Sequence, residues 1–294
     1  MRVIVFTSSP RGIHCIKKLK NNINLLKVIA PKSLFKEINK KVFYLCPSNI
    51  NSKKFISYIK NLKPDLILVA GFGKIFSNEF INGIKCIWIN LHAGSLPNMR
   101  GSSPLNWALI KNHKFIELNV IKVQNKIDSG DIILSKKIKI NDDTTITELH
   151  ELANYYFPKM VNASIEKFIN GKYKFKKQSM NYSYFPKRFK DDGFILFDQE
   201  NAKCIHNKIR ALTDPYPNAF TFFKNKKINL VKSKLLKNPF YGEPGRIYEI
   251  KKNEILVCAL DCSLWITTNH NFKNNDRYKK LATLKEIALQ SYEN

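Results

Sequence analysis

The chain contains no apolar run that approaches the roughly 18 to 20 residues needed to cross a bilayer as a helix. We therefore expect no membrane-spanning helix and no membrane partner. The short apolar run from Met1 to Thr7 has no small-residue cleavage site after it and continues directly into a helical pattern. This pattern indicates the first strand of a cytoplasmic protein rather than a secretory signal.

Cysteine pairs and glycine-rich fingerprints are also missing. The six cysteines are scattered, and no Cys-x-x-Cys pair occurs among them. This spacing indicates neither a disulfide framework nor a zinc site. Because the sequence has no Gly-x-Gly-x-x-Gly, we do not expect a dinucleotide cofactor.

Acidic residues are few, with 23 Asp and Glu against 50 Lys and Arg, which gives a formal net charge of +27. Such an excess is compatible with a nucleic acid partner. However, the lysines are spread along the whole chain together with many Asn and Ile residues, which equally describes a solvated lysine-rich surface. An anionic substrate such as a nucleotide would be attracted in either case.

The remaining composition is that of a globular protein, with 44% hydrophobic and 25% charged residues in 294. This length accommodates one large and one small domain, and we place the division near residue 180. Domain 1–180 shows apolar strands alternating with helical patterns, which predicts an α/β fold with a mostly parallel sheet. Loops at 7–12, 71–76, 90–104 and 124–131 should then gather at one edge of this sheet.

Beyond residue 180 the pattern changes to short strands between turn signals, with one helix from Ala202 to Leu212. The spacing predicts a β-rich domain over 181–294, either a small barrel or a sandwich. The predicted strands are Phe194–Phe197, Phe220–Phe223, Ile228–Val231, Gly245–Tyr248, Ile255–Ala259 and Leu264–Thr267.

The most informative stretch is a buried strand that ends in Asn90-Leu-His92 and is followed by a loop rich in Gly, Ser and Pro. Asn90 and His92 are two residues apart, so an extended backbone projects both to the same side. An amide donor beside a histidine suits stabilisation of an oxyanion and transfer of a proton. Asp128, in a second loop, could hold the imidazole in one tautomer.

Taken singly, these residues are weak signals, because Asn-x-His is commonly structural and Asp-x-Gly-Asp is an ordinary turn. Together the set is specific. Asn-x-His, a Ser-Leu-Pro loop, Arg-Gly-x-x-Pro and a downstream Asp-x-Gly-Asp resemble the formyltransferases that use 10-formyltetrahydrofolate. That family includes methionyl-tRNA formyltransferase, glycinamide ribonucleotide formyltransferase and the sugar N-formyltransferases.

The resemblance implies a Rossmann-like N-terminal domain that binds the folate and a small, OB-like C-terminal domain. It implies that Asn90 polarises the formyl carbonyl, that His92 transfers a proton, and that Asp128 orients His92 and assists proton removal from the attacking amine. No metal is required. The resemblance places the co-substrate 10-formyltetrahydrofolate along three segments, with contacts from Lys74, Ile75, Phe76, Gly94, Ser95, Leu96, Pro97, Gln124 and Ile127.

The acceptor is open between two classes. Methionyl-tRNA formyltransferases usually carry a long, basic, glycine-containing insertion after the second strand, whereas the stretch from Ala30 to Leu45 is short here and lacks glycine. The resemblance therefore favours a nucleotide-linked amino sugar over tRNA. Candidate contacts to such a substrate are Arg100, Lys187, Arg188 and Arg210, since guanidinium and ammonium groups suit phosphate. A homodimer is a further expectation from the resemblance.

A third hypothesis treats the chain as a basic RNA-binding protein built on an inactive α/β scaffold. It predicts RNA affinity that falls steeply with salt and no formyl transfer. The complete set of Asn90, His92 and Asp128 argues against it, because an inactive scaffold has no need of all three.

Overall fold

The structure, a computed structural model, describes residues 1–282, which divide into two compact units. The first comprises 1–104, 115–139 and 150–186, and the second comprises 105–114, 140–149 and the chain from Lys187 onward. The division between domains, expected near residue 180, thus lies at Lys187, where the last segment of the second unit begins. The second unit also includes segments 105–114 and 140–149, which interrupt the first unit in the sequence. No change of composition in these segments indicates that they belong to the second unit.

The helices and strands follow one another along the chain in regular alternation as far as β5, and strands dominate after residue 210. Their bounds are β1 (Arg2–Phe6), α1 (Pro10–Lys17), β2 (Asn24–Ala30), β3 (Phe43–Leu45), α2 (Lys53–Asn61), β4 (Leu66–Val69), α3 (Asn78–Gly83), β5 (Ile87–His92), β6 (Arg100–Gly101), α4 (Pro104–Ile110), β7 (Phe115–Lys122), β8 (Ile132–Lys139), α5 (Ile146–Ile169), β9 (Tyr184–Phe185), α6 (Ala202–Arg210), β10 (Ala219–Phe223), β11 (Lys226–Leu235), β12 (Ile247–Lys251), β13 (Glu254–Cys258) and β14 (Ser263–Thr268).

The first unit contains a seven-stranded sheet in the order β3-β2-β1-β4-β5-β7-β8. Its first five strands are parallel, and their central members β1 and β4 are buried almost throughout because both faces are covered. The predicted α/β fold with a mostly parallel sheet is confirmed. None of the helices within residues 1–282 is both long and apolar enough to cross a membrane.

The last two strands, β7 and β8, run antiparallel to their neighbours. The 124–131 loop therefore does not follow a parallel strand, yet its Asp128 contacts Asn90 and His92 at the edge where the loops were expected to gather. The main-chain N of Val123 donates to the carbonyl O of Trp88, so this loop leaves the sheet beside the start of β5. It must fold back along β5 to bring Asp128 near His92.

The second unit contains a five-stranded antiparallel sheet in the order β10-β11-β14-β13-β12, accompanied by α6. Alternating buried residues of these strands pack with the apolar face of α6, including Ile205 and Ile209, into one core. The prediction of a β-rich unit is confirmed. The predicted strand Phe194–Phe197 is wrong, since Phe194 forms only an isolated bridge to Phe220 and the residues that follow it turn toward α6.

One partly buried histidine of the first unit lies against an arginine. The guanidinium Nη2 of Arg11 is 3.4 Å from Nδ1 of His150, and the same guanidinium carbon is 5.2 Å from the ring centroid of Phe157. Burial, and to a smaller extent the charge of Arg11, lower the pKa of His150 from 6.5 to about 4. The imidazole is therefore neutral in the folded protein near pH 7.

This pKa makes the stability of the first unit depend on pH. Between about pH 6.5 and 4 the unfolded chain binds a proton at His150 that the folded chain does not. The free energy of unfolding therefore decreases as the pH is lowered through this range. In urea titrations, we expect the free energy of unfolding of wild type to fall from pH 7.5 to pH 5 by about 1–2 kcal/mol more than that of His150→Gln. Equal losses in the two proteins would contradict this assignment.

Candidate active site

Strand β5 places the first two candidate catalytic side chains on one face of the sheet. Ile89 and Leu91 are buried on the opposite face, and the alternation of the strand leaves Asn90 and His92 together. His92 is 4% exposed, whereas Asn90 is half-buried. Both polar groups therefore lie at the margin of the core. A ligand can reach them there from solvent, while the surrounding residues hold the imidazole in place.

The carboxylate of Asp128 joins these two residues. Its Oδ1 accepts a hydrogen bond from Nδ2 of Asn90 at 3.1 Å, and its Oδ2 accepts one from the main-chain N of Gly101 at 3.0 Å. Nδ1 of His92 lies 3.3 Å from the same Oδ2. Asn90, His92 and Gly101 thus converge on a carboxylate that lies 27 to 38 positions later in the sequence.

A main-chain carbonyl fixes the hydrogen position on the imidazole. Nε2 of His92 lies 2.6 Å from the carbonyl O of Met99. Because a carbonyl oxygen only accepts, this contact requires the hydrogen on Nε2. Nδ1, which faces Asp128, is then the nitrogen at which the ring gains and loses a proton.

The loop that carries Asp128 is held in an uncommon backbone conformation. Asp128 has φ +49°, a left-handed value that is less unfavourable for Asp than for most residues. Two residues later, a Cβ on Gly130 would lie 1.7 Å from the carbonyl O of Lys122, so only glycine fits there. The Asp-x-Gly-Asp motif thus lets the loop pass close to β7 while presenting its first carboxylate to β5.

The predicted folate contacts in 74–76 lie in three different environments. The ammonium of Lys74 donates to the main-chain carbonyls of Pro47 and Ser48 at 2.6 and 2.7 Å. Ile75 is 69% exposed. The ring of Phe76 packs against the aromatic core of the unit, 5.2 Å from the ring of Trp88 between centroids.

The remaining predicted folate contacts follow β5 and β7. Leu96 and Pro97 line a cavity of about 400 Å³, whereas Gln124 lines a different cavity of about 430 Å³. Gly94 lies so close to the imidazole of His92 that a Cβ there would be 2.9 Å from its Nε2. Ser95 is half-buried in the same loop, and Ile127 is 44% exposed.

The larger cavity lies along the Asp128 loop, and sequence reasoning did not include its other walls. Trp88 and Cys86 line it from β5 and the residue before that strand, and Ser129 lines it from the loop. The indole Nε1 of Trp88 is buried and has no hydrogen-bond partner among the described residues. Because Trp88 is 3% exposed, little of its side chain faces the cavity, and its indole donor lies inside the unit.

Of the predicted substrate-binding cations, Arg100 is in the first unit and is 7% exposed. Its Nε donates to the side-chain Oε1 of Gln178 at 3.0 Å, and its guanidinium lies 4.3 Å from the ring centroid of Tyr182. Gln178 is a residue of the site that sequence reasoning missed. Its surroundings, a lysine-rich stretch without periodicity, gave no signal for it.

The other three predicted cations are in the second unit. The ammonium of Lys187 is 5.7 Å from the ring of Phe189, and the guanidinium of Arg188 is 4.9 Å from the ring of Trp107. Arg188 also donates to the carbonyl O of Asp192. Contact of either residue with a substrate diphosphate stays a prediction.

Arg210 has a structural role within its unit. It is 4% exposed, and its Nη1 donates to the carbonyl oxygens of Asn141 and Thr144 at 2.8 and 2.9 Å. Its Nε donates to the side chain of Asn207. Burial lowers the pKa of Arg210. These contacts tie α6 to the segment before α5, and a further contact with substrate stays a prediction.

Comparison with known proteins gives the class to which this site belongs. Residues 2–156 match the formyl transferase family, and residues 187–284 match the formyl transferase C-terminal domain. The chain belongs to the formyl transferase family and is an enzyme of that class. The prediction of a formyltransferase that uses formyl-tetrahydrofolate is confirmed.

Individual relatives include the bifunctional polymyxin resistance protein ArnA of Wigglesworthia glossinidia brevipalpis, 33% identical over 98% of this chain and 46% of that protein. The chain therefore spans about half of that relative. A methionyl-tRNA formyltransferase of Clostridium beijerinckii is 33% identical over 73% of this chain and 69% of its own length. WlaRD, a sugar 3N-formyl transferase solved with dTDP and 5-N-formyl-THF, superposes with a TM-score of 0.67 at 20% identity, covering 92% of this chain and 99% of WlaRD.

Replacement of the imidazole tests its place in the site. We expect His92→Ala to lower turnover by about 100-fold or more, because the imidazole expected to transfer a proton is lost. Folate affinity should be nearly unchanged, since the ring contacts Met99 and Asp128 rather than a cavity wall. Steady-state kinetics and equilibrium binding measure the two effects, with His14→Ala on the exposed face of α1 as control. A rate in His92→Ala equal to that of the control would contradict the prediction.

The structural role of Arg210 is tested by Arg210→Met. This change leaves two part-buried main-chain carbonyls without their charged donor, so we expect the free energy of unfolding to fall by about 1–3 kcal/mol. Lys187→Met, at an exposed position, should leave stability unchanged. Denaturant unfolding measures both. Unchanged stability together with a raised acceptor KM in Arg210→Met would instead assign the residue to substrate binding.

Proposed function

We propose that this chain transfers the formyl group of 10-formyltetrahydrofolate to the primary amine of a nucleotide-linked amino sugar. Asn90, His92 and Asp128 are the catalytic residues. The cavity lined by Trp88 and Gln124 receives the folate ring system, whose carbonyl and ring nitrogens suit polar side chains such as Gln124 in its wall. The convergence of three polar side chains on one buried point supports this assignment.

The proposed chemistry follows from the charges that develop. As the neutral amine attacks the formyl carbon, negative charge grows on the carbonyl oxygen. Nδ2 of Asn90 has a second hydrogen that no described residue accepts, and protonated Nδ1 of His92 is a second donor toward the same region. Loss of one such donor typically costs about 3–4 kcal/mol of barrier.

Asp128 balances the proton transfers of this reaction. The nitrogen of the amine must lose a proton as the new amide forms, and the folate nitrogen must gain one as its bond to the formyl carbon breaks. A carboxylate held beside an imidazole can accept the first proton while the imidazole supplies the second. Both groups are linked through Oδ2 and Nδ1, so a proton can be exchanged between them directly.

The connection between β2 and β3 is relevant to the choice between an amino sugar and tRNA as acceptor. It holds one short 3-10 helix, Lys32–Glu37, with Leu34 and Ile38 buried against the unit. A compact, anchored connection has no extended basic segment to reach along an acceptor stem. Such a segment is what the family resemblance associates with methionyl-tRNA formyltransferases, and its absence within this connection favours a smaller acceptor.

The sequence matches differ in how much of this chain they cover. ArnA matches 98% of this chain, including its second unit. The methionyl-tRNA formyltransferases among the relatives match between 71% and 82% of it. The match to ArnA therefore extends over more of this chain than the matches to these methionyl-tRNA formyltransferases do.

Formylation of methionyl-tRNA is the second candidate function. Its support is the number of relatives of that name, at 29–33% identity, and the net charge of +27. A salt-dependent attraction to RNA follows from that charge whatever the acceptor is. RNA affinity alone therefore does not discriminate between the two functions, and product formation does.

The decisive experiment offers both acceptor classes to the same enzyme. The protein is incubated with 10-formyltetrahydrofolate and either a panel of nucleotide-linked 3-amino and 4-amino sugars or charged methionyl-tRNA. We expect a formamide product from at least one sugar, detected by mass spectrometry, and much slower formation of it with Asp128→Asn. Formylation of methionyl-tRNA alone would overturn the acceptor and leave the transferase class intact.

A further inference from the structure

Gln178 lies in the segment between α5 and β9 and contacts two parts of the active site at once. Every residue from 171 to 184 is exposed except Gln178, which is half-buried. Its Nε2 donates to the carbonyl O of Asp128 at 2.8 Å and to the carbonyl O of Gly130 at 2.7 Å. Its Oε1 accepts the hydrogen bond from Nε of Arg100.

These contacts use both donor hydrogens and one acceptor lone pair of the amide in one orientation. Both hydrogens of Nε2 point at carbonyl oxygens, which only accept, and Oε1 faces Arg100, which only donates. A flipped amide would face acceptors with its oxygen and a donor with its nitrogen. The orientation of Gln178 is therefore fixed by its partners, and neither Glu nor Met can reproduce it.

The same contacts close a ring around the catalytic carboxylate. Gln178 holds the main chain of Asp128, the side chain of Asp128 accepts from the N of Gly101, and Arg100, the neighbour of Gly101, donates back to Gln178. β6 and β9 pair beside this ring, with Arg100 opposite Tyr184. The ring thus joins the loop after β5, the loop after β7 and the segment after α5.

This ring supplies what the Asp128 loop lacks by itself. Asp128 has a left-handed φ of +49°, and its loop leaves the sheet far from the carboxyl end of β5. No regular hydrogen-bond ladder therefore holds the residues between β7 and β8. The two hydrogen bonds from Gln178 fix the carbonyls on either side of Ser129, and thereby the direction of the Asp128 side chain.

We propose that Gln178 is a positioning residue of the formyl transfer, acting by holding the Asp128 carboxylate against Asn90 and His92. The inference depends on the proposed catalytic role of Asp128. Loss of the Gln178 contacts lets the carboxylate shift by a fraction of an ångström to about an ångström, a displacement that commonly costs up to 100-fold in rate. The effect falls on kcat, because Gln178 does not line the cavity assigned to the folate. It lines the other cavity, together with Leu96 and Pro97, so the KM of each substrate is measured beside kcat.

The test compares Gln178→Met, which keeps the length of the side chain, with Gln178→Glu, which keeps the acceptor for Arg100 but has no amide donor. We expect kcat to fall about 10- to 100-fold in both, with the KM for folate nearly unchanged. Gln199→Met, the same change at an exposed position of the second unit, is the matched control and should keep wild-type kinetics. Thermal unfolding confirms that each variant is folded at the assay temperature.

A double-mutant cycle separates positioning from a general loss of structure. In an Asp128→Asn background the carboxylate is already gone, so Gln178→Met should lower the remaining rate by less than about threefold. A full additional loss in that background, or wild-type kcat in Gln178→Glu, would overturn the inference. Wild-type activity of Asp128→Asn by itself would instead overturn the catalytic role proposed for Asp128, so the two failures are distinguishable.

Discussion

The structure of this site depends on one carboxylate, that of Asp128, which three nitrogen atoms from two other segments of the chain approach. Asn90 and His92 come from β5, the main-chain N of Gly101 comes from the loop after it, and Asp128 itself comes from the loop after β7. A carboxylate with several donors is held in position far better than one that faces solvent. The folding of the first unit therefore prepares the site before any substrate is present, which is the condition for electrostatic stabilisation of a transition state.

The reversal of strand direction at β7 explains why this carboxylate needs outside support. In a fully parallel sheet, the loops after neighbouring strands share one edge and support each other. Here the loop after β7 begins beside Trp88, and Asp128 reaches His92 only by folding back along β5. Glycine at position 130 permits the close approach to β7, and Gln178 supplies the hydrogen bonds that a strand would otherwise provide.

The distribution of charge carries less functional information than its magnitude suggests. Lys74 and Arg210 both donate hydrogen bonds to main-chain carbonyls in their own units. Arg100 donates to Gln178 and lies over the ring of Tyr182. A cation in such a position contributes to folding through hydrogen bonds to groups of its own unit. Net charge then describes the attraction of anions to the protein in general, while recognition of a particular acceptor depends on the few cations that remain available.

The sequence by itself determined the α/β class, the β-rich second unit and the formyl transferase family, because strand alternation and the motifs around Asn90, His92 and Asp128 are local patterns. The tertiary structure alone decided the direction of β7, the loss of the expected strand at Phe194–Phe197, the two inserted segments of the second unit and the place of Gln178. Gln178 and Asp128 are 50 positions apart. A hydrogen bond over that separation leaves no mark in residue spacing, since it depends on how the chain returns to itself.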